Sequence, residues 1–144
     1  MRRLFGSTEN QFHLGLLVLR LGIGAAFIAH GLPKLQAGAD GWARYGKAVG
    51  NLGIDFGHQA FGLMAGLAEA GGGLLIMLGL FTRLACIPML LTMIVAMTSH
   101  LSRGEGFKDW SHAAEDGVMF LALLIAGAGR YSIDHKISRP TSYS

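Results

Sequence analysis

Charge is what this chain has least of. Asp, Glu, Lys and Arg make up 15% of its 144 residues, against roughly 25% in a soluble domain, and the mean hydropathy is +0.43. Too few ionisable groups remain to keep a monomer's surface in water. Cysteine is scarcer still. With Cys86 alone, neither an internal disulfide nor a self-contained dithiol redox pair can form, so any redox chemistry must borrow its electron carrier. Disorder is excluded because it needs low hydrophobicity and high net charge. The 22 glycines show no three-residue period, which excludes a collagen-like chain, and no Walker or Rossmann glycine pattern stands in strand context. Nucleic acid is not an expected partner, since the twelve Lys and Arg lie singly between apolar blocks and form no clustered basic face.

What the chain has in quantity is long apolar sequence. Crossing a hydrocarbon core of about 30 Å takes about 20 mostly apolar helical residues. Four stretches approach this, at about 14–32, 59–80, 83–101 and 113–128, the last being the shortest. The expectation is an all-α integral membrane protein: a single domain over residues 1–144, built as a four-helix antiparallel bundle. Only Phe81 and Thr82 join the second and third spans, which forces a hairpin. The stretch from Lys34 to His58 carries Trp42, Tyr45 and Phe56 among charges and predicts a loop or short helix at the membrane interface. Arg2 and Arg3 before the first run resemble the start of a signal peptide, but Arg20 interrupts that run, so it reads as a retained helix. His30-Gly31-Leu32-Pro33 is where that helix could break.

Four spans put both termini on one side. Lys and Arg number six there against five opposite, while Asp40, Asp55, Glu105, Asp109, Glu115 and Asp116 gather opposite. The expectation is a prokaryotic cytoplasmic (inner) membrane protein with both termini in the cytoplasm.

Ionisable side chains at membrane depth are expensive and face the bundle interior or a wet cavity. Arg20 lies about two turns into the first span and Glu69 near the middle of the second. Glu69 shares a helix face with Gly62, Gly66 and Gly73, small residues that let helices approach, so it is predicted to point inward. An Arg20–Glu69 pair would neutralise both charges, as a register-fixing ion pair or as part of a proton path. A second group gathers at the other end: His30, Lys34, His58, His100, His112, Glu115 and Asp116. Met89, Met93 and Met97 recur every four residues toward His100, a spacing that packs a core more often than it binds a cofactor.

Of this second group, His30, Lys34, His100 and Glu115 are the candidate ligand-binding set. Two imidazoles and a carboxylate suit a transition metal, and two imidazoles on facing helices suit a haem. No HExxH, CxxCH or Cys/His cluster accompanies them. A quinone ranks higher: its head group needs hydrogen-bond donors at two carbonyl oxygens and groups that pass protons, which His, Lys and Glu at the rim of an apolar bundle supply.

These motifs, in this order, resemble the DoxX family of small four-helix membrane proteins. Arg20 and Gly24 lead to His30-Gly31-Leu32-Pro33-Lys34; Glu69 is followed by Gly72, Gly73 and Leu78-Gly79-Leu80-Phe81-Thr82-Arg83; His100, Glu115 and the tail Gly127-Ala128-Gly129-Arg130-Tyr131-Ser132-Ile133-Asp134 complete the set. The resemblance covers roughly residues 15–135. It implies a membrane protein associated with a quinol oxidase and thiosulfate:quinone oxidoreductase system and linked to oxidative and sulfur stress. Asp116, where an aromatic is common in the family, departs from the pattern.

Three functions follow. The first is a redox subunit that binds a quinone among His30, Lys34, His100 and Glu115 and exchanges electrons with a protein partner. The second is a membrane anchor or assembly partner that offers the 36–58 segment as its contact. The third is a small-ligand binder or carrier built on Arg20 and Glu69. The stripe Gly62, Gly66, Ala70 suits an interface between subunits of a homo-oligomer as well as one within the bundle.

Overall fold

A computed structural model describes residues 8–138. Every regular element among them is helical: α1 (Glu9–Gln36), α2 (Gly38–Gly46), a 3-10 helix (Lys47–Leu52), α3 (His58–Leu78), α4 (Thr82–Ser102), α5 (Phe107–Ala126) and the short α6 (Ile133–Ile137). Three of these, α1, α3 and α4, are long and apolar enough to cross a membrane. Helix α5 has 20 residues, but Lys108, Asp109, Glu115 and Asp116 fall in its first half. Its polar start begins six residues before the expected span at 113.

Local chemistry sets the ends of these helices. Thr8 caps α1 by accepting from the Gln11 N–H, while the Gln11 side chain accepts from the Thr8 N–H at 2.8 Å, a reciprocal pair that satisfies two orphan donors. Pro33 does not break α1, which runs on to Gln36. Lys34 therefore belongs to the helix, one turn beyond His30, and not to a loop. The Trp42 indole donates to the Lys34 and Leu35 carbonyls at 3.0 and 3.3 Å, supplying partners for the last turn of α1. The expected interfacial segment is thus α2 and the 3-10 helix, folded back against α3 and α4.

Helix α3 ends on Gly79 at φ 66°, a left-handed stop that glycine adopts without strain. Phe81 follows at φ 48°, unusual for a side-chain-bearing residue. Its N–H donates to Asp134 Oδ1 at 2.7 Å, and the Thr82 N–H donates to Oδ2 at 3.0 Å. Asp134, 52 residues downstream, thereby holds the hairpin turn and the start of α4 together.

The main packing seams join α1 to α3 and α4 to α5, with α3 against α4 linking the two pairs. The first seam is backbone-close. A Cβ at Gly24 would lie 2.7 Å from the Gly73 carbonyl oxygen, and one at Gly31 would lie 2.9 Å from Ala70 Cα. The core between the seams holds Phe27, Ile76, Met89, Met93, Phe120 and Leu123, with Phe27 edge-on to Phe120 at 4.8 Å. Met89 and Met93 are buried there, as their spacing predicts. Cys86 is buried and unpaired.

Gly73→Val should force α1 and α3 apart and lower the melting temperature in detergent, at the ~1–3 kcal/mol typical of overpacking. Gly71→Ala meets nothing within 4 Å and should melt like the wild type.

Candidate functional site

The antiparallel α1/α3 register decides which ionisable groups meet. Gly24 lies against Gly73 and Met77, Gly31 against Ala70, and Leu35 against Gly66. Residue 20 must then face the last turn of α3, and residue 34 must face Glu69. The expected Arg20–Glu69 pair is accordingly not the one formed. Lys34 Nζ donates to Glu69 Oε1 at 2.5 Å. Arg20, fully buried, donates to the carbonyls of Ile76 and Met77 at 3.3 and 3.4 Å and to that of Tyr131 at 2.5 Å. A cation on C-terminal helix carbonyls is favoured by their orphan acceptors and by the helix dipole. Gly79 leaves room for it, since a Cβ there would lie 2.9 Å from Arg20 Cζ. Arg20 is thus a structural clamp at the end bearing Thr8 and α6, and a carrier built on an Arg20–Glu69 pair loses its basis.

The opposite end holds a cavity of about 140 Å³. From α1 it takes Phe27, His30 and Lys34, from α3 Glu69, and from α4 Met93 and His100; Asp109, His112 and Asp116 of α5 close it. Three of the four expected site residues, His30, Lys34 and His100, line this one space. Glu115 does not: it is exposed, and Asp116, the residue that departs from the family pattern, takes the inward position. The reason is helical phase. Ala113, Phe120 and Leu123 are buried on the inner face of α5, and residue 116 continues that row whereas 115 is turned about 100° away. This apolar row was the signal that could have found Asp116.

Glu69 is 2% exposed. While its Oε1 takes the lysine, its Oε2 is buried without a hydrogen-bond partner among the described residues. Such an orphan is costly, and here it belongs to a residue lining the cavity. The Lys34 ammonium also stands 5.8 Å from the Tyr45 ring centroid. At the rim, His30 and His112 meet with ring centroids 6.4 Å apart, and His112 Nδ1 lies 3.6 Å from Asp116 Oδ2. Among the described residues, no three His, Cys, Asp or Glu side chains are arranged to hold a metal ion, so the site gives no support to a metal.

The sequence reading missed Glu105, in the turn between α4 and α5. It pairs with His100 Nδ1 and, at 2.5 Å, with Arg103 Nε. Arg103 also donates to the Ser99 hydroxyl at 2.7 Å. Hydrogen bonds from Arg103 and then from His100 pull the Glu105 carboxyl down to about 2. The group ties the His100 ring to the turn that closes this end of the bundle.

A second space adjoins the cavity. It is a groove of about 290 Å³ between α1 and α5, lined by Val18, Leu19, Gly22, Ile23, Ala26 and Met119, and it shares Phe27, His30, His112 and Asp116 with the cavity. Val18 beside it is 63% exposed, and Val118 and Ile125 on the outer face of α5 are 67% and 71% exposed.

Residues 15–101, more than half of the chain, match the family model described as DoxX. The chain is also 29% identical over 141 residues to the uncharacterized membrane protein Rv3486 of Mycobacterium tuberculosis (strain ATCC 25618 / H37Rv), covering 86% of this chain and 82% of that one. Helices this apolar and a membrane-protein relative make contact with a lipid bilayer part of its structure.

Two outcomes test this geometry. Lys34→Met should leave the buried Glu69 charge alone and destabilise the protein, near the low end of ~3–5 kcal/mol because Lys34 is 26% exposed; adding Glu69→Leu should recover much of the loss in a detergent melt. A carboxyl held low stabilises the fold above its unfolded value, and that stability drains away as pH falls through the folded one. The stability gap between wild type and Glu105→Gln should therefore stand at pH 7 and shrink from about pH 4.5, the ordinary value, toward about 2.

Proposed function

Because the chain belongs to the DoxX family, we propose that it is a quinone-binding membrane subunit that exchanges electrons with a protein partner, in a setting of oxidative or sulfur stress. The observation that carries this reading is the joining of two unlike spaces. A polar cavity with an orphaned Glu69 oxygen shares four lining residues with an apolar groove on the outer flank of α1 and α5. That shape suits an amphiphile whose head group needs hydrogen bonds and whose tail comes from the bilayer.

The residues fit such a head group. When bound, a quinone supplies the two-electron, two-proton couple that a chain with one buried cysteine lacks. Lys34, at the cavity end of α1, offers ammonium donors beyond the one engaged by Glu69. His30 and His112 donate or accept at the rim, according to tautomer. Asp116 and Glu69 are carboxylates able to hold a proton at the cavity wall, and His112 beside Asp116 links that wall to the outside. Phe27 closes the inner side against water. The electrons come from or go to a partner, and α2 with the 3-10 helix lies at the same end as the cavity.

In this reading the protein is one domain of four antiparallel spans, α5 being the fourth. Asp109, His112 and Asp116 of its first half line the cavity, and its second half, with Val118, Leu121 and Ile125 outward, faces lipid. The charge bias of the loops supports cytoplasmic termini in a prokaryotic inner membrane.

The test uses Trp42 and Trp110, which flank the cavity end. Adding a short-tailed ubiquinone analogue to the detergent-purified protein should quench their fluorescence saturably. His30→Ala with Asp116→Asn should raise the half-saturating concentration at least tenfold with the fold intact by circular dichroism. Quenching that never saturates, or a double variant that binds like the wild type, would refute the reading.

A further inference from the structure

The opposite end of the molecule carries a site that the quinone reading does not use. Where the start of α4, the last turn of α5 and the turn before α6 converge on the first turns of α1, they enclose a recess of about 450 Å³. Arg83 and Arg130 both line it, with His13 and Thr82. Arg83 donates to the Ile125 carbonyl at 3.1 Å and Arg130 to the Asn10 side chain at 3.1 Å. Among the described residues, neither guanidinium has a carboxylate within ion-pair distance. Asp134 also lines the recess, but both its oxygens already accept the Phe81 and Thr82 N–H groups. Glu9 is engaged with His13 at 3.6 Å.

The recess is therefore cationic, and two of its polar atoms are open among the described residues. Thr82 is fully buried, and among the described residues its hydroxyl has no hydrogen-bond partner; nor has His13 Nδ1. The backbone makes room for this arrangement. Gly127 at φ 75° and Gly129 at φ 77° turn the chain back on itself after α5, and a Cβ at Gly127 would lie 3.4 Å from Arg83 Nε. Helix α1 is 28 residues, about 42 Å at 1.5 Å per residue, and exceeds a ~30 Å core. Its first turn is polar, with Glu9, Asn10, Gln11 and His13, which favours head-group level for that turn and for the recess beside it.

We propose that this recess is a phosphate site, in which Arg83 and Arg130 grip a phosphate group and the Thr82 hydroxyl donates a further hydrogen bond to it. Arginine's fork of donors matches phosphate oxygens two at a time. The phosphate comes either from an anionic phospholipid, as in basic pockets between spans, or from a free ion.

The experiment follows the melting temperature of the detergent-purified protein at matched ionic strength with three additions: short-chain phosphatidylglycerol, the diacylglycerol of the same chains, and inorganic phosphate. A rise of several degrees with phosphatidylglycerol alone supports the site and assigns the lipid. An equal rise with inorganic phosphate supports it and assigns the free ion. If neither exceeds the diacylglycerol and chloride controls, the proposal is overturned. Arg83→Gln with Arg130→Gln should abolish the rise, and a rise that persists overturns the proposal. Should the pair prevent folding, Arg130→Gln alone, an exposed residue bonded among the described residues only to Asn10, should shift the midpoint of the titration at least fivefold; an unmoved midpoint is equally fatal.

Discussion

The backbone contact between α1 and α3 is the constraint on which the other placements depend. Glycine at positions 24, 31 and 73 lets the two backbones meet directly, and Gly66 receives the Leu35 side chain; in a bilayer such close packing substitutes for the hydrophobic drive available in water. Once that contact fixes an antiparallel register, the polar partners follow. Arg20 is carried to the open carbonyls at the end of α3, and Lys34 is carried to Glu69. Neither charge chooses its partner freely; each is delivered by the glycine seam.

The two ends of the bundle consequently receive different buried groups. At the end with α6, buried polarity is spent on architecture: Arg20 on carbonyls of α3 and the tail, Asp134 on the Phe81 turn. At the other end the buried carboxylate of Glu69 is held by Lys34, and its Oε2 has no partner among the described residues. Open groups remain beside the Arg20 clamp as well, in Thr82 and in His13 Nδ1, so each end holds both groups that brace the fold and groups able to bind.

Much of this was legible in the sequence. Apolar runs gave three spans with ends within a few residues, except that α1 passes through Pro33. The His30, Lys34 and His100 cluster followed from topology alone, because antiparallel helices of similar length bring those ends to one surface. Pairing was not legible, since it depends on a shift of a few residues between α1 and α3 that no single-helix pattern encodes. Glu115 was grouped with the histidines from its place at the start of α5, and the family resemblance agreed, although the buried row at 113, 120 and 123 pointed to 116. Glu105 escaped because a turn residue acquires its partner only when the turn folds.

The Arg20 clamp also bears on how the molecule is made. Arg20 and Tyr131 are 111 residues apart, and a ribosome adding about 5–20 residues per second leaves an interval of roughly 6–20 s between them. Throughout that time the guanidinium has only part of its final set of acceptors, so it must draw on interfacial water or lipid phosphate. The Arg20 clamp is therefore completed only after every helix from α1 to α5 has been made.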